Sequence, residues 1–170
     1  MARDLQFRIQ QGRELRDLSR RLRGLEDGRE IAGRLRRELR RAARPMVPAV
    51  RAAVLALPSQ GQNARRGRDS LRRSIARATQ LQVQTSGTRP GVRVWVNPRR
   101  MPEGQANLPA YMEGIRPFHR WRHPVYGDED TWVTQPSRPF FYRAVRPLED
   151  GVAEAGARVM DEIAREIEGR

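Results

Sequence analysis

The sequence predicts an α+β fold in which a small antiparallel sheet packs against a long N-terminal helix and a C-terminal helix. Three observations lead there. Apolar residues recur at three- and four-residue steps near both ends of the chain, the period of amphipathic helices. Short runs between and before them alternate with the period of two that marks half-buried strands. Glycine- and proline-rich stretches separate the two kinds of pattern. A length of 170 residues suits a single domain spanning 1–170.

Leu5, Phe7 and Ile9 alternate with Gln6, Arg8 and Gln10, an edge strand that Gly12 ends. Leu15, Leu18, Leu22 and Leu25 then form a helical stripe closed by the Gly24–Gly28 region. A longer helix follows over roughly 29–57, with Ile31, Leu35, Leu39, Met46, Val50, Val54 and Leu57 on one face. Pro45 and Pro48 remove backbone donors from it, so a kink or break is expected near Arg44. At about 100° per residue, Arg29, Arg36, Arg40, Arg44 and Arg51 share one arc opposite Leu35. Guanidinium forks match phosphate and carboxylate, which makes this stripe a candidate face for DNA or an acidic partner, against the plain alternative of a solvated surface.

Residues 58–68 read as a flexible loop, with Asp69 or Ser70 able to cap a short helix through about Ala78. Gln80–Thr85 and Val92–Val96 flank a glycine-containing turn and read as a β-hairpin. Residues 98–107 are a second candidate flexible loop. Asn107 can cap one helical turn that Gly114 stops. Between Ile115 and Tyr142 lie two of the three tryptophans, both histidines and three of the four phenylalanines. Rings bury about 150–250 Å² each, so this proline-cut stretch is expected to pack as a platform. Thr131–Gln135 is its strand, expected to join the hairpin's sheet. His123, Tyr126, Trp132 and Phe140 are its expected anchors, and Arg120, Trp121 and Arg122 its expected subunit contact. A last helix over about 139–167, bending at Pro147, is expected to pack over the sheet beside the arginine helix.

The net charge is +14, which points to an anionic partner. No lysine occurs, and GC-rich codon use would account for part of that bias. Residues 1–100 hold 25 arginines against 8 acidic groups, and residues 101–170 hold 9 against 12. Such polarity suits attraction between copies, head to tail. Cysteine is absent, which excludes disulfides and thiolate metal sites. No apolar run reaches the roughly 20 residues of a membrane span, and the N-terminus lacks the core of a signal peptide, so neither membrane nor export is expected. His119 and His123 with Asp128, Glu129 and Asp130 could in principle ligate a metal, but Pro117 and Pro124 break the helix that would align the imidazoles. There is no nucleophile elbow and no phosphate loop. No catalytic, cofactor-binding or metal residue is therefore assigned, and an interaction protein is favoured over an enzyme.

The order of parts resembles the neck or tail-completion (minor tail) proteins of long-tailed bacteriophages, lambdoid type. The residues that carry the likeness are Leu71-Arg72-Arg73-Ser74-Ile75, Tyr111-Met112-Glu113-Gly114, Arg122-His123-Pro124-Val125-Tyr126-Gly127, Trp132-Val133-Thr134-Gln135 and Arg138-Pro139-Phe140-Phe141. The pairing of Arg-His-Pro-Val-aromatic-Gly with Trp-Val-x-Gln is similar to the version in phages of high-GC actinobacterial hosts. Where the family has Thr-Gly before the Leu-Arg segment, this chain has Gly67-Arg68-Asp69-Ser70. The resemblance implies a non-enzymatic virion subunit, assembled in the bacterial cytoplasm. It would form a ring, commonly a hexamer, between a head-closure or adaptor protein and a tail terminator or the major tail tube protein, with genomic DNA in the lumen. Tail-terminator rings share this size and α+β mixture, and a stand-alone basic nucleic-acid-binding protein is the other alternative.

Overall fold

The computed structural model describes residues 5–9, 12–58, 70–87, 90–114, 120–125 and 128–169, less the side chains of 123–125, 128 and 129. Strand β1 (Gln6–Ile9) leads into helix α1 (Gly12–Leu22), whose Leu15, Leu18 and Leu22 are buried. Gly28 opens helix α2 (Gly28–Ala43) directly over the preceding chain: a Cβ there would lie 1.7 Å from the Leu22 carbonyl oxygen. Only glycine permits that approach. Ile31, Leu35, Leu39 and Ala43 form the buried stripe of α2.

The long helical pattern breaks where the prolines require it. Helix α3 (Met46–Leu55) starts after Pro45, burying Met46, Val50 and Val54. Helix α4 (Leu71–Ala78) is capped by Ser70, whose hydroxyl accepts from the Arg73 N–H. The two helices close each other's C-terminal ends. Arg51 of α3 donates to the carbonyls of Ala76 and Thr79 at 3.0 and 3.2 Å, and Arg72 of α4 donates to those of Leu55 and Leu57. Last-turn carbonyls lack helical partners and carry the negative end of the helix dipole, so a guanidinium satisfies both needs.

Strands β2 (Thr79–Gln84) and β3 (Gly91–Val96) pair antiparallel, and β1 adds to the far side of β3, giving the order β1-β3-β2. Val92, Val94 and Val96 point inward, and α2, α3 and α4 all contact the sheet. The 98–107 segment, expected to be flexible, opens with a 3-10 turn at Pro98–Arg100 and buries Met101. The 59–69 segment lies outside the described residues.

Two expectations about the second half are corrected. The Thr131–Gln135 strand does not join the main sheet: β4 (Arg120–Val125) and β5 (Asp128–Pro136) pair with each other as a separate two-stranded sheet. Strand periodicity fixes which residues share a face but not which edge they meet. The C-terminal helical run divides at Pro147 into α6 (Phe141–Val145), a 3-10 turn and α7 (Glu149–Glu168). Of these, α7 packs chiefly on α2, where Arg34 pairs with Glu166, and α1 contributes Arg21, 3.1 Å from Glu168. It covers the helices rather than the sheet, because α2 already occupies the sheet's inner face. The other end of the run, α6, lies on α3.

Candidate functional site

Two surfaces and the joint between them carry the residues of interest. The first surface is the outer flank of α2. Arg29, Arg36, Arg40 and Arg44 are all exposed, and their side chains make no hydrogen bond or ion pair among the described residues. Arg51 does not belong with them. It begins in the same arc, but the helix breaks at Pro45 and its guanidinium is committed to the end of α4. The stripe therefore stops at Arg44.

The second surface is the β4–β5 hairpin, where the exposure of the two tryptophans is the reverse of what was expected. Trp121, expected to face a neighbouring subunit, is half-buried and stacked on Tyr111, with ring centroids 5.8 Å apart and planes 18° from parallel. Trp132, expected to anchor the platform, is 50% exposed, and its ring is approached by the Arg122 guanidinium at 5.3 Å. The reason is the separate hairpin: among the described residues β5 packs chiefly on β4, and the ring of Trp132 lies beside its diagonal neighbour Arg122. Arg120 and Arg122 are exposed. His123 sits in β4 opposite Val133 with its side chain outside the description, and Tyr126 and His119 lie outside the described residues. Phe140 is buried at 1% exposure, edge-on to Phe141 at 6.4 Å.

The joint is built on Glu113, which the sequence reading passed over. Helix α5 (Leu108–Glu113) ends in Gly114 at φ +77°, a left-handed cap natural to glycine, and Ser137 packs so close that a Cβ on Gly114 would meet its Cβ at 3.2 Å. The Glu113 side chain is buried and reaches the start of α6. One oxygen accepts from the N–H groups of Phe140 and Phe141, both at 2.8 Å, and the other from Tyr142 at 3.0 Å. A carboxylate suits these unpaired donors at a helix start. Arg138 N–H donates to the Met112 carbonyl at 2.7 Å and the Ser137 hydroxyl to that of Tyr111 at 3.1 Å, completing the joint. Burial raises the Tyr142 phenol above its ordinary pKa of 10.0, the Glu113 carboxylate adds to the rise, and Arg146 opposes it. The phenol donates to the Gln6 carbonyl at 3.1 Å, tying the joint to β1. The one local sign of Glu113 is its place beside a glycine stop as the sole charged residue of 107–114, and its burial depends on residues far along the chain.

Among the described residues, no group of three or more His, Asp or Glu is placed to hold a metal ion, and no helix is long and apolar enough to cross a membrane. The arrangement exposes two kinds of surface, a guanidinium face on α2 and an aromatic-cationic hairpin. Comparison with protein-family models, curated proteins and solved structures finds no match for this chain.

Proposed function

We propose that the chain is a structural subunit of a bacteriophage neck, joining head to tail by assembling as a ring, and that it acts by association rather than catalysis. What supports this reading is that two separate segments of the family likeness are partners in one device. Tyr111-Met112-Glu113-Gly114 supplies the capping carboxylate and the left-handed stop, and Arg138-Pro139-Phe140-Phe141 supplies the backbone donors they receive. The resemblance thus rests on residues that work together, not on scattered matches. In this reading the ring, of about six copies, sits between a head-closure or adaptor protein and the tail terminator or major tail tube protein, with genomic DNA in its lumen and the virion as its location. The test is assembly. The purified chain, alone and mixed with the neck and tail proteins encoded beside it, is expected to give closed rings by native mass spectrometry and electron microscopy. A chain that stays monomeric and binds none of them overturns the reading.

A second reading, a stand-alone nucleic-acid-binding protein, is favoured by the four exposed arginines of α2. It requires duplex affinity that falls steeply with salt, as neutralised phosphates release counterions.

A further inference from the structure

The free arginines of α2 have a counterpart on α7. Along α7 the buried stripe is Val152, Gly156, Met160 and Ile163, and the side turned away from it exposes Asp150, Glu154 and Asp161. None of these three carboxylates makes a hydrogen bond or ion pair among the described residues. Their spacing is four and then seven. On α2, Arg29, Arg36 and Arg40 are spaced seven and then four. Read in opposite directions, the two series are the same ladder, about 16 Å long at 1.5 Å per residue. The position between the first two rungs is Gly33 on α2 and Ala157 on α7, small residues that let two helices approach.

Within one subunit these faces cannot meet. The pairs Arg34–Glu166 and Arg21–Glu168 hold the C-terminal end of α7 at the start of α2, and α6 lies on α3 at the other end, so α7 already runs antiparallel along one flank of α2. Arg36 projects about 200° round the helix from Arg34, on the opposite flank. The acidic line of α7 likewise faces away from its own α2.

We propose that the partner of this arginine face is α7 of a second copy of the chain, docked antiparallel so that Arg29 meets Asp161, Arg36 meets Glu154 and Arg40 meets Asp150, with Gly33 against Ala157. Arg44 falls beyond the start of α7, opposite Arg146, and lies outside the ladder. The contact is heterologous, using different faces on the two copies, so it repeats from subunit to subunit and closes only as a ring. It rests on the ring reading above and names the surfaces that would make the ring.

The test uses the full chain and two triple variants: Arg29→Glu with Arg36→Glu and Arg40→Glu, and Asp150→Arg with Glu154→Arg and Asp161→Arg. All six positions are exposed, and circular dichroism checks that each variant is folded. Association is followed by light scattering and native mass spectrometry at low and high salt. Each variant alone is expected to associate at least about tenfold more weakly than the parent chain, a change of about 1.4 kcal/mol. An equimolar mixture of the two is expected to regain assembly, because each then offers the charge the other lacks, a recovery that misfolding would not permit. Added salt weakens the parental contact. Parental rings together with unchanged assembly of both variants overturn this seam and leave the ring reading standing. A mixture that fails to recover also overturns the seam. A parental chain that stays monomeric alone and with the neighbouring neck and tail proteins overturns both, and one that forms rings only with those proteins, with both variants doing so equally well, overturns the seam alone. Loss of duplex binding in the arginine-reversed variant with its assembly intact assigns the face to nucleic acid instead, and overturns the seam.

Discussion

Val92, Val94 and Val96 of β3 lie beneath a helical layer that leaves each at 3% exposure or less, while Thr131, Trp132, Thr134 and Gln135 of β5 all stay open to solvent. Both sheets use the same antiparallel ladder. The difference lies in what covers them: three helices contact the first, and the second is fastened at its base by the α5–α6 joint. A sheet acquires an interior only where another layer removes its side chains from water, so aromatic content alone does not locate a core. In this chain the main interior is aliphatic, with Phe140 and Phe141 as its large rings.

That contrast predicts a gradient of mutational cost. The largest effect is expected at Leu35, which has no exposed surface: Leu35→Ala leaves a cavity under the sheet and should cost about 3 kcal/mol, seen as a loss of roughly 10 °C in Tm. Next is Glu113→Ala, which strands three N–H groups at the start of α6 and should cost about 2 kcal/mol, measured by urea unfolding. A cost no greater than that of an exposed acid such as Glu154 would mean the joint is not what holds the hairpin. On the hairpin itself, Trp121→Ala should cost about 1 kcal/mol through its lost stack on Tyr111, and Trp132→Ala under about 0.5 kcal/mol. The reverse order would show that β5, not β4, is the packed strand.

The smallest effect should appear as a pH dependence of the joint. Tyr142 is raised above 10.0 by burial and then by Glu113, so the folded chain keeps a proton that the unfolded chain releases. Its contribution is complete below about pH 10 and is lost as the pH rises beyond that. Urea unfolding between pH 8 and 11 should therefore show a shallower loss in Tyr142→Phe than in the parent chain, and identical slopes would remove Tyr142 from the account.

Much of the α+β architecture was legible because it depends on local chemistry. Pro45 and Pro48 announce the α2–α3 break, Ser70 the start of α4, Gly114 the end of α5 and Pro147 the division before α7. The alternation in 5–9 and 92–96 gave two strands that pair. What could not be read locally depends on partners far along the chain. Glu113 finds its donors 27 to 29 residues away, so nothing beside it in sequence reveals that it is buried. Arg51 looked like one more member of a stripe until α4, 25 residues on, supplied its acceptors. Trp132 was misplaced because a strand's pattern does not state whether another layer will cover it. The arginines of α2 were legible as a face, but their free state depends on where α7 lies.

The α5–α6 joint sets the chain's path as well as its stability. The backbone leaves the helical body at Gly114 and returns at Ser137, and those two residues touch. A segment whose two ends meet places little demand on the body through its length, and among the described residues its ring contact with the body is the stack of Trp121 on Tyr111. Replacing 115–136 by a few-residue linker between Gly114 and Ser137 is therefore expected to cost the Trp121–Tyr111 stack while the helices and the three-stranded sheet keep their packing, which circular dichroism and urea unfolding would check. The body and the hairpin are thus two units whose sequences can change separately, provided Glu113 still finds the three N–H groups at the start of α6.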